Sequence, residues 1–407
     1  MKNYRWIFII SGLVINLCLG SIYSYSVLQI HLKKFFENVY GLKISATEMQ
    51  IPFLLSLALF SFSMPLAGRL IERFSPRKVS IVGAIFLGSG WFLASFAKSP
   101  LELAILYGII VGLGVGIIYN CPLSVVTRWF IQNRGLAIGL TVLGFGLSPA
   151  LLSPIIDLLV YTYGLQKSLK LIGVTLFLVV LTFSYFLRFP DKNESQNVNQ
   201  FQEVGGISTS QMLKKHSFYG LWICFFTMNF IGLIAIGISK PMGLEVARNC
   251  GIPEQEISNT LTLFMIPFAL SNGIGRPLFG FLTDKFKPKT TATLSFLSIL
   301  VAIGLIYFND SSLLAYGISF SIFWMNLGGW MAIAPTTTSM FFGLKNYSSN
   351  YGVVFTAYGV GAILGNLTVG IVKDITGSFI NVFPILSILI IMAIIIVQLY
   401  LNFNFTK

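Results

Sequence analysis

Arg276 is the residue from which chemistry can first be argued. It sits in the run Phe264 to Phe281, FMIPFALSNGIGRPLFGF, with apolar neighbours on both sides. A charged side chain at bilayer depth costs at least about 2.5 to 3.5 kcal/mol, so it faces an interior cavity or a partner. Asn272 precedes it by one helical turn on the same face, and Gly273 and Gly275 thin the helix so that a ligand or a second helix can come close. No Asp or Glu lies in the middle of an apolar run: Asp157 and Glu102 fall near run ends. A guanidinium not neutralised from within calls for an anion from outside, and its planar fork suits a carboxylate. The predicted ligand is a small organic anion. The competing explanation is snorkelling, because Asp284 lies only about two turns further on and a long stem can reach the interface. Tyr23 in GSIYSY and Tyr119 in GIIYN place hydroxyl-bearing rings beside small residues, as a carrier lining needs, and Trp330 and Tyr358 belong with them. Each of these on its own is also what helix packing looks like.

The elements that must hold these residues are membrane helices. The 407 residues are 55% hydrophobic and 10% charged with a mean hydropathy of +0.81, whereas soluble domains carry about 25% charged residues. Only helices or a closed barrel can span hydrocarbon, and the apolar runs have helix length. They fall near 6–31, 50–70, 79–97, 102–126, 136–161, 168–188, 217–239, 257–282, 290–308, 312–335, 351–372 and 378–402. The first is longer than a signal-peptide core and has no small-residue cleavage site, so it reads as a retained helix. The expected architecture is all-α: twelve transmembrane helices in two six-helix bundles, 1–188 and 217–407. A polar linker at 189–216, containing DKNESQNVNQFQEVGG, joins them. The net charge of +13 resides in the connections between runs rather than on one face, so topology explains it better than nucleic acid does. Connections on the side of the N-terminus carry seventeen Lys and Arg, from Lys2 to Lys407 and including Lys192 in the linker, against nine on the other side. Both termini and the linker are therefore predicted to be cytoplasmic, in a multi-pass protein of the cell membrane. Cys18, Cys121, Cys224 and Cys250 form no CxxC pair and read as packing residues, with no metal or other cofactor expected.

An internal repeat supports the division. Gly68-Arg-Leu-Ile-Glu72-Arg73-Phe-Ser-Pro-Arg77-Lys78 follows the second run, and Gly280-Phe-Leu-Thr-Asp284-Lys285-Phe-Lys-Pro-Lys289 follows the eighth, 212 positions later. Arg128-Trp-Phe and Met340-Phe-Phe share that offset. Duplication of a six-helix unit is the economical reading, giving two pseudo-symmetric bundles. The carboxylates at these helix ends are expected to pair with cations across the cytoplasmic surface and so to gate it. The gating candidates are Gly68, Glu72, Arg73, Arg77, Arg128, Gly280, Asp284 and Lys285. A plain topogenic basic loop is the alternative.

These loops resemble those of the major facilitator superfamily, with Glu72 where that family usually has Asp and Ser75 where it usually has Gly. RWFIQNRGLAIGL, the motif around Tyr119, NGIGRPLFGFLTDK and NYGVVFTAYG resemble the oxalate:formate antiporter family and the related monocarboxylate transporters. The resemblance implies the major facilitator fold and alternating access. It further implies that Arg276 grips a substrate carboxylate beside Asn272, with Tyr23 and Tyr119 lining the opposite half, and it suggests a monomer. Oxalate carriers have a lysine in the eleventh helix, where this chain matches with Tyr358. A single cation favours a monoanion such as lactate, pyruvate or formate over oxalate. Animal monocarboxylate carriers have an aspartate where this chain has Asn272, so the coupling group stays open between another residue such as His31, water around Arg276, and anion exchange. Two other classes compete. A membrane enzyme would need a nucleophile, metal cluster or acid pair at depth, and the only histidines, His31 and His216, stand at run ends. A non-transporting nutrient sensor would be favoured by a long signalling tail, and the chain stops at Lys407.

Overall fold

A computed structural model describes residues 3–191 and 206–401 of the chain. Lys2, Lys192, Lys407 and the linker from 192 to 205 lie outside the described residues. Regular structure among the described residues is helical throughout. That outcome follows from the solvent, because a helix satisfies its backbone N–H and C=O groups within one segment.

Eleven helical stretches among the described residues are long and apolar enough to cross a bilayer. The first seven are α1 (Trp6–Tyr40), α2 (Glu48–Phe74), α3 (Pro76–Ala94), α4 (Pro100–Trp129), α5 (Arg134–Tyr163), α6 (Leu165–Ser184) and α7 (His216–Asn249). The next helix, Glu254–Phe308, has 55 residues. At 1.5 Å per residue that is about 80 Å, more than twice the roughly 30 Å of a hydrocarbon core. It turns at Lys287, whose φ of 68° and ψ of 160° are not helical, immediately before Pro288. The result is two spans, α8 (254–286) and α9 (288–308). With α10 (Leu313–Phe342), α11 (Tyr347–Thr376) and α12 (Ile380–Tyr400) the spans among the described residues number twelve once the long helix is divided at Lys287, as the hydropathy pattern predicts. In α1 the winding tightens to a 3₁₀ turn at Gly20–Ser24, which carries Tyr23.

Positions 75 and 287 are related by the 212-residue repeat, and both have the same unusual backbone. Ser75 (φ 115°, ψ 152°) and Lys287 are the non-glycine residues of positive φ among those described, and each precedes a proline that opens the next helix. That region is open almost exclusively to glycine and costs other residues about 1–3 kcal/mol. The strain accounts for the glycine usual at position 75 in the loops this one resembles. Ser75 draws partial compensation by accepting the N–H of Lys78 on its side-chain oxygen at 3.5 Å.

The chain divides into two compact units that trade segments. One comprises Met1–Ile131, Leu140–Thr209 and Phe342–Gly359; the other comprises Gln132–Gly139, Ser210–Phe341 and Val360–Lys407. In the first, the early turns of α11 pack with α2; in the second, the first turns of α5 pack with α8.

Relief of the backbone strain is directly measurable. Ser75→Gly and Lys287→Gly should each raise the thermal unfolding midpoint of the purified protein by about 1–3 °C, the strain relieved exceeding the added chain entropy. A lowered midpoint in both would contradict the strain.

Candidate functional site

In the second unit Arg276 is buried, with 2% of its surface exposed. Its Nη2 donates to the Asn272 side-chain oxygen at 3.2 Å, so the one-turn spacing brings the two together as expected. Asn272 is fixed in turn by donating from Nδ2 to the carbonyl of Trp324 in α10 at 3.0 Å. Close helix approach makes that contact possible. A Cβ on Gly275 would lie 2.1 Å from the Met325 carbonyl oxygen, and one on Gly328 would lie 2.0 Å from that of Asn272. Small residues are how helices reach such separations in lipid. The Trp324 ring continues the network, its Nε1 donating to Ser239 Oγ in α7 at 3.0 Å. Arg276 is therefore held inside the protein with a neutral amide as neighbour, which is not the geometry of a snorkelling residue. Trp330, by contrast, donates from its indole nitrogen to Ser295 of α9 at 2.9 Å and packs against Phe225 and Phe296. Its polar edge is directed among the helices of its own unit.

The first unit collects the three candidate tyrosines. The hydroxyls of Tyr23 and Tyr358 are hydrogen-bonded to each other. Tyr23 meets the edge of Phe145 at a centroid distance of 5.1 Å; Tyr119 lies 5.2 Å from both Phe60 and Phe355; Tyr358 stacks on Phe355 at 5.1 Å. Phe60 touches Phe145 and Tyr358 as well, so α1, α2, α4, α5 and α11 contribute to one aromatic cluster. The sequence pattern does not mark out Phe60, Phe145 and Phe355. Among 37 phenylalanines nothing in their spacing distinguishes rings that meet tyrosines from rings that meet lipid. His31, in the C-terminal third of α1, has Nε2 2.6 Å from Asp157 Oδ1 in α5.

The gating candidates resolve into two carboxylates at helix starts. Glu72 accepts from Arg128 Nη2 at 2.9 and 2.8 Å and from the backbone N–H of Ser348, the second residue of α11, at 3.0 Å. Arg128 also donates to the Leu344 carbonyl at 3.0 Å and lies over the Phe189 ring at 3.8 Å. Asn120 and Ser124, both fully buried, complete the clasp: Asn120 Nδ2 donates to the Ser348 carbonyl at 2.7 Å and the serine hydroxyls meet at 2.8 Å. Gly68 permits the approach, since a Cβ there would be 2.2 Å from the Ser348 carbonyl oxygen. In the second unit Asp284 repeats the device, accepting the N–H groups of Gly135 and Leu136 at 2.9 Å each. These belong to the first turn of α5, and Gly280 and Gly135 cross so closely that a Cβ on either would overlap the other's carbonyl. A carboxylate against the positive end of a helix is a favourable arrangement. The expectation of carboxylate–cation pairing thus holds for Glu72 with Arg128. Arg73, Arg77 and Lys285 instead lie over the rings of Phe74, Tyr185 and Phe286, and backbone amides of α11 and α5 join cations in facing the two carboxylates. Residue-type patterns do not carry that information, because every residue except proline offers an N–H.

A family model for the Major Facilitator Superfamily matches residues 6–365 and 229–404, and the chain belongs to that family. It is 27% identical over 365 residues to the oxalate:formate antiporter of Oxalobacter formigenes, covering 89% of this chain and 83% of that one. To monocarboxylate transporter 12 of Mus musculus it is 23% identical over 354 residues, covering 77% and 69%. The solved structure of the proton:xylose symporter XylE superposes with a TM-score of 0.77 over 98% of this chain and 96% of that one, at 13% identity, a likeness of fold. The protein is thus a multi-pass membrane transporter of the oxalate:formate antiporter and monocarboxylate transporter type.

Removing the charge of Glu72 should loosen its clasp. In a Ser348→Cys background, Glu72→Gln should speed maleimide labelling of the introduced thiol about tenfold, since a hydrogen bond to a charged group contributes about 1.5–3 kcal/mol. An unchanged labelling rate would show that the carboxylate does not hold this end together.

Proposed function

We propose that the protein is a secondary active carrier of small monocarboxylates such as lactate, pyruvate or formate, working by alternating access in the cell membrane. The observation that carries this reading is Arg276: a guanidinium inside the protein, steadied by a neutral amide and held where α8 and α10 touch. Such a group is preorganised to receive a carboxylate in its fork, and lysine cannot reproduce that geometry. The relatives that carry oxalate, formate or monocarboxylates support the substrate class. Tyr358, where oxalate carriers have lysine, favours a monoanion, and Tyr23, Tyr119 and Tyr358, gathered in one aromatic cluster of the first unit, are that unit's candidate substrate-lining residues.

In this mechanism the anion binds at Arg276 and Asn272 while the linker end is closed. The Glu72 and Asp284 clasps then release, the bundles 1–188 and 217–407 rock about the linker at 189–216, and the anion leaves on the other side. The excess of basic residues on the linker side supports cytoplasmic termini. Each clasp is built from charge-assisted bonds to helix ends, which can be exchanged for water when that end opens. Coupling is by proton symport or by anion exchange. His31 and Asp157 offer a titratable pair for the first, and the likeness to an antiporter favours the second. A dicarboxylate antiporter is the alternative reading, favoured by that same likeness.

Arg276→Lys tests the grip because it retains the charge and removes the fork. Uptake of labelled L-lactate should fall by about ten- to a hundredfold, as expected for the loss of a bidentate charge-assisted pair, with the protein still reaching the membrane. Full uptake in this variant would remove Arg276 from the binding site.

A further inference from the structure

Lys240, near the outer part of α7, is a second cation that the site described above does not use. It is half-buried, and its Nζ donates to the Thr262 hydroxyl of α8 at 3.0 Å. That is its one partner among the described residues, which leaves two of its three N–H groups for something else. The acidic residue further along α7, Glu245, is already taken by Lys373 at 2.9 Å, by the Ser378 hydroxyl and by the Phe379 N–H.

The position of Thr262 gives the pair its meaning. Stepping back from Arg276 by four and three residues reaches Asn272, Ala269, Met265 and Thr262, the spacing of a single helix face. At 100° and 1.5 Å per residue, Thr262 is about 40° around the helix from Arg276 and about 21 Å along it. Met265 and Ala269, in between, are half-exposed. Leu263, Leu270, Ile274 and Leu278 form a different, more exposed apolar face of the same helix. On α7, Gly237 lies one turn before Lys240 and is exposed, with Asn366 of α11 beside it.

We propose that Lys240 and Thr262 form an outer docking site for the carboxylate, which captures the anion at the mouth and passes it along this face of α8 to Arg276. The proposal rests on the anion-carrier reading above. Lys240 acts on capture: an ammonium at the mouth of a path raises the local concentration of anions and the rate at which they bind, and it does so less at high salt. It has no part in the grip at Arg276, and the Lys240–Thr262 bond is a single exposed one whose loss the fold tolerates.

The test is uptake of labelled L-lactate by intact host cells that lack lactate carriers of their own. Lys240→Gln retains a donor for Thr262 and removes the charge. Its KM should rise about five- to tenfold with the maximal velocity within about twofold of wild type, and Lys240→Arg should restore the wild-type KM. Raising the ionic strength from about 20 to 200 mM should increase the KM of the wild type and leave that of Lys240→Gln unchanged. An unchanged KM in Lys240→Gln, or a loss confined to maximal velocity, overturns the docking role while leaving the carrier reading intact. No uptake by the wild type overturns the carrier reading itself, and the docking role with it.

Discussion

The burial of Arg276 is the constraint from which the rest follows. In a bilayer interior an arginine must be housed by protein, and here the housing is made by removing side chains: Gly275 and Gly328 let α8 and α10 touch, so that Asn272 can reach the Trp324 carbonyl and stand beside the guanidinium. The neighbour one turn back is a neutral amide rather than a carboxylate. An aspartate at the Asn272 position would provide an internal counter-ion and weaken the demand for an external one. On the function proposed above, the choice of ligand depends on what stands next to the arginine as much as on the arginine itself.

A carrier must also close and open without leaving buried polar groups stranded. Glu72 and Asp284, the proposed gating carboxylates, are bonded in the same way, each accepting backbone N–H from the first turn of a helix, α11 for Glu72 and α5 for Asp284. The first four N–H groups of a helix have no partner within it and bond to water when exposed. A carboxylate that replaces that water when the end closes gives a bond that is firm yet exchangeable. The repeat extends beyond the carboxylates to the strained backbone at Ser75 and Lys287, each turning the chain ahead of a proline.

Much of this was legible in the sequence, for physical reasons that can be named. The spans were visible because hydrocarbon demands long apolar runs. The break between α8 and α9 was visible as Asp284-Lys285-Phe-Lys287-Pro288 even though the helical winding runs almost continuously through it. The Arg276–Asn272 pair followed from helical spacing alone. Side-chain direction was less legible: Trp330 has the composition of a cavity residue, yet its indole nitrogen is directed at Ser295. Phe60, Phe145 and Phe355 became apparent only once the aromatic cluster was assembled, since phenylalanine is common on every face of a membrane helix. Ser348, Gly135 and Leu136 contribute through backbone N–H groups, on which residue type is silent.

The claim at the centre of this account is that recognition depends on a carboxylate charge meeting the Arg276 fork. Competition in proteoliposomes containing the purified protein tests it most directly, with labelled L-lactate as the tracer and either pyruvate or lactamide, the uncharged amide of lactate, as the competitor. The account predicts that pyruvate suppresses lactate uptake and that lactamide at the same concentration leaves it unchanged. Equal suppression by both would mean that the substrate is recognised without its charge, and would contradict the role given to Arg276.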